Sequence, residues 1–261
     1  MRNVLQSIAT DYLGLCRVCG PVVGTRWLLG VATRFGACRK AGNLQPADQT
    51  LGDGPIAVNY HGARAELVGP RILSGIREIW VRDVYLGGGF VRIKPGDHIV
   101  DLGCNRGNFT ALALAHGDDV TATVVEVNED ELGRFRNNIG HNGWLGRVNI
   151  VQAFLGNRTR LQDRLDGIGA LEGVPTITED ELIDGQGIEK IDFLKCDIEG
   201  SEFGLFDENS RLLKMARQIA MEIHTDVGSA DEMIALLEGH GFEIKVWHEI
   251  GHTVLMQGRK R

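Results

Sequence analysis

The sequence predicts an α/β fold: a doubly wound, mostly parallel seven-stranded sheet ending in an antiparallel hairpin, with an N-terminal helical extension. Three observations predict it. From residue 98 onward, strand-length apolar segments alternate with helix-length amphipathic ones, and repeated units of that size put parallel strands between two layers of helices. Ile191 to Asp197 is a nearly continuous apolar run, as a strand buried on both faces requires. The last two strands, Glu243 to Trp247 and His252 to Gln257, lie only a few residues apart, which permits only an antiparallel pair.

In chain order, residues 1 to about 45 carry apolar positions at helical spacing (Val4, Leu5, Ile8, Tyr12, Leu15, then Trp27, Leu28, Val31, Phe35), broken by Gly20 and Pro21. This spacing predicts two helices covering part of the fold. An amphipathic membrane-surface helix is the alternative, set aside because its polar side has little basic excess. The extension is placed at residues 1–70 and the domain proper at 71–261. A further helix is expected over RILSGIREIWVRDVYL, followed by Gly87 to Gly89 and a turn at Lys94 to Asp97.

Strand His98 to Asp101 then precedes a helix from Asn108, strand Val120 to Glu126 precedes a helix from Glu129, and strand Val148 to Ala153 follows. Asn128 with Glu131 gives the second helix a capping signal, and Glu129 and Asp130 suit its positive end. After residue 155 the Gly-rich pattern predicts loops over the site, with a short helix capped by Thr178 and Glu181. A helical stretch around Glu202 to Met215, strand Gln218 to His224 and a helix Ala230 to His240, boxed by Ser229 and Glu232 and stopped at Gly241, complete the order.

A net charge of -7 gives a nucleic-acid partner no electrostatic footprint. No stretch approaches the ~20 apolar residues that span a bilayer, and the start lacks the pattern of a secretory signal. The expectation is a cytoplasmic protein without a membrane partner. Five cysteines form no regular disulfide framework, and Cys16 and Cys19, a lone C-x-x-C in a helical pattern, read as buried thiols.

The strongest local signal is IVDLGCNRGNFT, residues 99–110, an apolar strand, a glycine-bearing turn and a helix. Gly103 and Gly107, with Asn105 between them, are expected to let the backbone approach a ligand. The spacing D-x-G-x-x-x-G departs from the dinucleotide pattern and nothing basic awaits a pyrophosphate, so S-adenosylmethionine is preferred over NAD. Glu126, ending the second strand beside Val127, can accept both ribose hydroxyls, and Asp101 is expected on the methionine ammonium. Ala153 and Phe154 would lie beside the adenine, offering a backbone N–H and an aromatic face. Tyr85 and Glu78 would close over the cofactor from the other side.

The run KIDFLKCDIEGSEFGLF, residues 190–206, together with VDLGCNRGNF, VVEVNEDELGRFRNNI and PTITEDELI, resembles the FkbM-type family of S-adenosylmethionine-dependent methyltransferases over roughly residues 95–225. The architecture of residues 80–257 is likewise similar to that of class I methyltransferases. The resemblance implies O-methylation of a hydroxyl on a small natural product, sugar or related metabolite. The second strand reads VVEVN where the family usually has an E-P pair, which leaves the ribose contact to Glu126 alone.

Asp197 and Glu199 are expected at the opening of the fourth strand, where they could orient the acceptor hydroxyl, take its proton or hold a metal. Glu222 and His224, two residues apart on one strand, share a face. If the fourth and fifth strands are neighbours, Asp197, Glu222 and His224 converge, either as ligands to a divalent metal ion or with His224 as base. An NAD-dependent oxidoreductase would need a Tyr with Lys four residues on, which Tyr12, Tyr60 and Tyr85 lack. A non-catalytic binding protein would lack the strand-end acids. The expected partner is a small-molecule acceptor, and a homo-oligomer is allowed.

Overall fold

The computed structural model describes residues 2–156 and 173–260. Helix α1 (Arg2–Cys19) turns back into α2 (Pro21–Thr33) at Gly20, whose φ of 89° lies in the left-handed region open to glycine. Pro21 then opens α2 where an N–H would have no partner in any case. The helical extension continues through α3 (Phe35–Ala41) and α4 (Gln45–Asp48).

Between this helical part and the domain proper the chain departs from the expected pattern. Strands β1 (Ile56–Tyr60) and β2 (Ala63–Leu67) form an antiparallel hairpin around His61 and Gly62, both at positive φ. Burial alternates along each strand, the period-2 signature of one face on a core. The predicted helix from residue 71 is also altered. It begins as α5 (Ile72–Gly75) and widens into a π-helical segment, Ile76–Val81, before breaking at Asp83. Five of the six π-helical residues are buried and Glu78 is exposed, so this segment runs through the core with one side chain outside it.

The main sheet has strands β3 (His98–Leu102), β4 (Thr121–Glu126), β5 (Val148–Gln152), β8 (Phe193–Cys196), β9 (Gln218–His224), β10 (Phe242–Ile250) and β11 (Thr253–Lys260), in the order β10-β11-β9-β8-β3-β4-β5. The first five of these pair in parallel, and β11 inserts antiparallel between β9 and β10. Two-residue strands β6 (Phe154–Leu155) and β7 (Thr176–Ile177) pair separately. The chain leaves β3 toward β4 on one side and returns to β8 on the other, so the crevice at the carboxyl ends of β3 and β8 is the topological switch point.

The predicted caps form. Helix α6 (Asn108–Leu114) follows β3, Asn128 accepts from the N–H groups of Asp130 and Glu131 at the start of α7 (Glu129–His141), Thr178 and Glu181 make a reciprocal box on helix Glu179–Gln186, and Ser229 caps helix Ala230–Gly239. The expected helical stretch 202–215 is instead two short helices, Glu202–Leu205 and Arg211–Met215, because Ser210 caps the second. Of the loops expected after residue 155, residues 157–172 lie outside the described residues. One apolar cluster joins Leu15, Trp27 and Trp80 to Ile99, Phe109 and Phe193, so the N-terminal helices share the core on one side of the sheet. A second, around Val100, Leu194 and Leu237, fills the other side. Among the described residues no helix is long and apolar enough to cross a membrane. Cys16 and Cys19 are free and half-buried on α1, and burial, with Cys16 close by, pushes the Cys19 thiol up to about 12.

Candidate active site

The glycine-bearing turn crosses the end of β8. The N–H groups of Gly103 and Cys104 both donate to the Val125 carbonyl, at 2.9 and 3.1 Å. Gly103 has φ 75°, and a Cβ there would fall 1.8 Å from the carbonyl oxygen of Asp197. Gly107 has φ 78°, and its Cβ would fall 2.7 Å from the ring of Phe135 on α7. Neighbouring protein therefore demands both glycines, where the sequence suggested close approach to a ligand. Gly103, Asn105 and Arg106 still line a cavity of about 220 Å³ at the switch point, together with Gln45, Glu78, Tyr85, Lys195 and Asp197.

Asp101 does not line this cavity. It is fully buried behind the turn, where Thr110 Oγ1 donates to it at 2.6 Å and Lys195 Nζ lies at 3.2 Å. The expected contact with a methionine ammonium is thus replaced by an internal ion pair, and Asp197 is the carboxylate of this group that faces the cavity. Lys195 is the residue sequence reasoning missed. It stands in a strand read as apolar, its ammonium donates to the carbonyls of Leu102 and Gly103 at 3.2 and 2.7 Å, and it approaches Asp197 at 4.0 Å. Burial acts to lower its pKa, but Asp101, Asp197 and Glu222 outweigh that and hold it above its ordinary value. Lys195 therefore stays cationic and braces both strand ends. A lysine between two apolar stretches of a central strand was the available signal.

Glu126 ends β4 with its carboxylate fixed by backbone. Oε1 accepts from Val127 and Asn128 at 2.9 Å each, and Oε2 accepts from Asn105 at 3.0 Å. Burial nevertheless raises its pKa. Three donors leave further lone pairs on the two oxygens, so the group is oriented and can still accept. Val127 joins the site only through its backbone. Ala153 and Phe154 do not offer what was expected of them. The Ala153 N–H donates to Glu126 O, the Phe154 N–H donates to Pro175 O at 2.8 Å, and the Phe154 ring is buried.

Tyr85 reaches across to the fifth-strand acid, its hydroxyl 2.8 Å from Glu222 Oε1 and 3.4 Å from Asp197 Oδ2. Burial, followed by the charge of Asp197, pushes Glu222 up to about 7, and burial also raises Glu78 on the cavity wall. The cavity wall thus carries the carboxylates of Glu78 and Asp197, with the cations Arg71, Arg106 and Lys195 beside them.

At its outer edge stands His224. Glu202, fully buried, accepts from the His224 backbone N–H at 2.8 Å and faces Nδ1 at 3.0 Å through the same oxygen, while its other oxygen accepts from Gly200 N at 2.8 Å. This pins the ring with Nε2 outward, 3.9 Å from Asp197 Oδ1 and 3.6 Å from Glu199 Oε2. Burial would lower the imidazole pKa, but hydrogen-bonded Glu202 with Asp197 and Glu199 push it up to about 9. Asp197, Glu199 and His224 present ligand atoms within 4.8 Å of one another, whereas Glu222, the carboxylate expected in that trio, is engaged by Tyr85.

The chain is similar to known proteins. The chain is 26% identical over 213 residues to a protein of Streptomyces tacrolimicus named 31-O-demethyl-FK506 methyltransferase FkbM, covering 64% of this chain and 80% of that one. It is 33% identical over 88 residues to the antimetabolite synthetase AmbE of Pseudomonas aeruginosa, which is 31% of this chain and 4% of that protein. Among solved structures, precorrin-6y C5,15-methyltransferase from Geobacter metallireducens aligns at 17% identity with a TM-score of 0.46, covering 70% of this chain and 88% of that one. The sequence profile described as the methyltransferase FkbM domain matches residues 100–244, more than half of the chain. The chain belongs to the FkbM family of S-adenosylmethionine-dependent methyltransferases.

Proposed function

We propose that the protein methylates a hydroxyl of a small natural product, sugar or related metabolite, with His224 as the base. The observation that carries this is the Glu202–His224 pair at the rim of the cavity. With Nδ1 held by a buried carboxylate, Nε2 is the nitrogen left to take a proton from an acceptor. S-Adenosylmethionine, when bound, supplies an electrophilic methyl group on a sulfonium. The residues fit that cofactor on two counts. The cavity wall carries carboxylates at Asp197 and Glu78 and cations at Arg71, Arg106 and Lys195, suiting a zwitterionic ligand that bears ammonium, sulfonium and carboxylate groups, and Glu126 is fixed in place to accept two hydroxyls. Asp197, whose Oδ1 lies 3.9 Å from Nε2, would orient the acceptor hydroxyl toward that nitrogen. The name of the Streptomyces relative supports an oxygen acceptor.

Calorimetric titration tests the cofactor half. Wild-type protein is expected to bind S-adenosylmethionine and not NAD, and Glu126→Ala should weaken that binding by about 10- to 100-fold, the worth of charge-assisted hydrogen bonds to one carboxylate. Unchanged affinity in a folded Glu126→Ala variant, or binding to NAD alone, would refute it.

A second reading rests on the spacing of Asp197, Glu199 and His224. One nitrogen and two carboxylates suit a divalent cation, which would lower the pKa of a bound hydroxyl and so replace a protein base. On this reading, protein equilibrated with Mg2+, Mn2+ or Zn2+ and then desalted retains one equivalent of metal, which Asp197→Asn loses. Retention of none leaves His224 as the base.

A further inference from the structure

Residues 12–47 contain five basic side chains, Arg17, Arg26, Arg34, Arg39 and Lys40, and no acid. The acids that bracket them, Asp11 and Asp48, are 1% and 3% exposed and lie under Arg77 and Arg82. All five cations are exposed. In a chain of net charge -7, the sign of the surface reverses over this segment. Large apolar side chains stand out among these charges: Leu13, Val22, Leu29 and Phe35 are 65%, 70%, 60% and 54% exposed. On α2, Val22, Arg26, Leu29 and Thr33 recur at helical spacing, away from Trp27 and Val31, which enter the core.

We propose that this helical face docks on an anionic lipid bilayer. The apolar side chains protrude from helix surfaces, and a bilayer interface accepts such groups without a matching shape while its headgroups attract the guanidinium groups. A second copy of the chain, joined through the same patch, would bring like charges together. An acidic protein would need a surface shaped to the protruding side chains. The spacing of residues 1–45 alone showed little basic excess on their polar side; the burial of Asp11 and Asp48 leaves the five cations as the exposed charges of this segment. Gln45, just past Lys40, lines the cavity of the candidate active site, so the segment that carries the charges also reaches that cavity.

Vesicle flotation of the full chain tests this. Binding is expected to phosphatidylcholine vesicles containing phosphatidylglycerol and not to phosphatidylcholine alone, and it should fall as salt is raised. Reversing two charges in Arg26→Glu/Arg39→Glu should weaken it by more than about tenfold. Leu29→Asp should also weaken it, and both variants should keep the wild-type Tm and affinity for S-adenosylmethionine. Equal binding to both kinds of vesicle, binding to neither, or wild-type binding by the charge-reversed variant would overturn the proposal. So would binding of poly-glutamate without binding of vesicles, which assigns the face to an acidic protein, or a dimer in sedimentation velocity that Leu29→Asp disperses.

Discussion

Replacing His224 with Asn is expected to lower kcat for methyl transfer by about 10²- to 10⁴-fold, the usual worth of a positioned general base, while leaving S-adenosylmethionine affinity within about threefold. The ring touches Glu202, Glu199 and Asp197 at the rim and is absent from the cavity wall, so its loss removes proton transfer more than cofactor binding. Because only the neutral ring accepts a proton, kcat/KM should rise with pH toward the free-protein value of about 9. Glu202 is the largest cause of that raised value, so Glu202→Gln should shift the rising limb to lower pH, an effect that a merely structural role for Glu202 would not produce. The two readings of the site separate on the same assay. Under the metal reading, chelator abolishes activity and added metal restores it. Under the base reading, activity is insensitive to chelator. A His224→Asn variant with more than half the wild-type kcat would remove the imidazole from the chemistry altogether.

The parts of this site legible in the sequence were those set by local rules. A strand-end acid after an apolar run places Glu126, an Asn with Glu three residues on starts α7, and two residues of one strand put Glu222 and His224 on one face. The roles that failed depended on long-range packing. Asp101 looks equivalent to Asp197 as a strand-end acid, and only the position of Lys195 and Thr110 shows which of the two is sealed off. Gly103 and Gly107 read as ligand glycines, yet the atoms that exclude a Cβ belong to Asp197, just past β8, and to Phe135 on α7. Glu202, three residues after Glu199, gave no sign that it would turn inward to His224. The hairpin at residues 56–67 had a usable signal, alternating residues about a His-Gly turn, masked by its short strands. The π-helical segment had none, since its sequence keeps ordinary helical spacing.

That arginine is where the largest stability effect is expected. Arg77→Ala should destabilise the fold by about 3–5 kcal/mol in chemical denaturation, the cost of breaking a buried ion pair from one side. The guanidinium makes two parallel bonds to Asp48, at 2.9 and 2.8 Å, and one to Asp11 at 2.7 Å, and all three side chains are nearly inaccessible to water. Without it Asp11 keeps Arg82, but Asp48 is left with the Trp27 indole N–H alone. Burial already raises the Asp48 pKa against the lowering effect of Arg77, so removing Arg77 raises it further. A folded-state pKa above the unfolded one means that the native protein binds more protons, and stability then falls as pH rises through it. The variant should accordingly lose more at pH 8 than at pH 5. Asp48→Asn in the same background should recover part of the loss by replacing the uncompensated charge with a neutral amide. Since α1, α4 and the π-helical segment share the apolar core beneath this network, unfolding should remain a single transition. A loss below about 1 kcal/mol would mean that Arg82 and Trp27 suffice to satisfy both carboxylates.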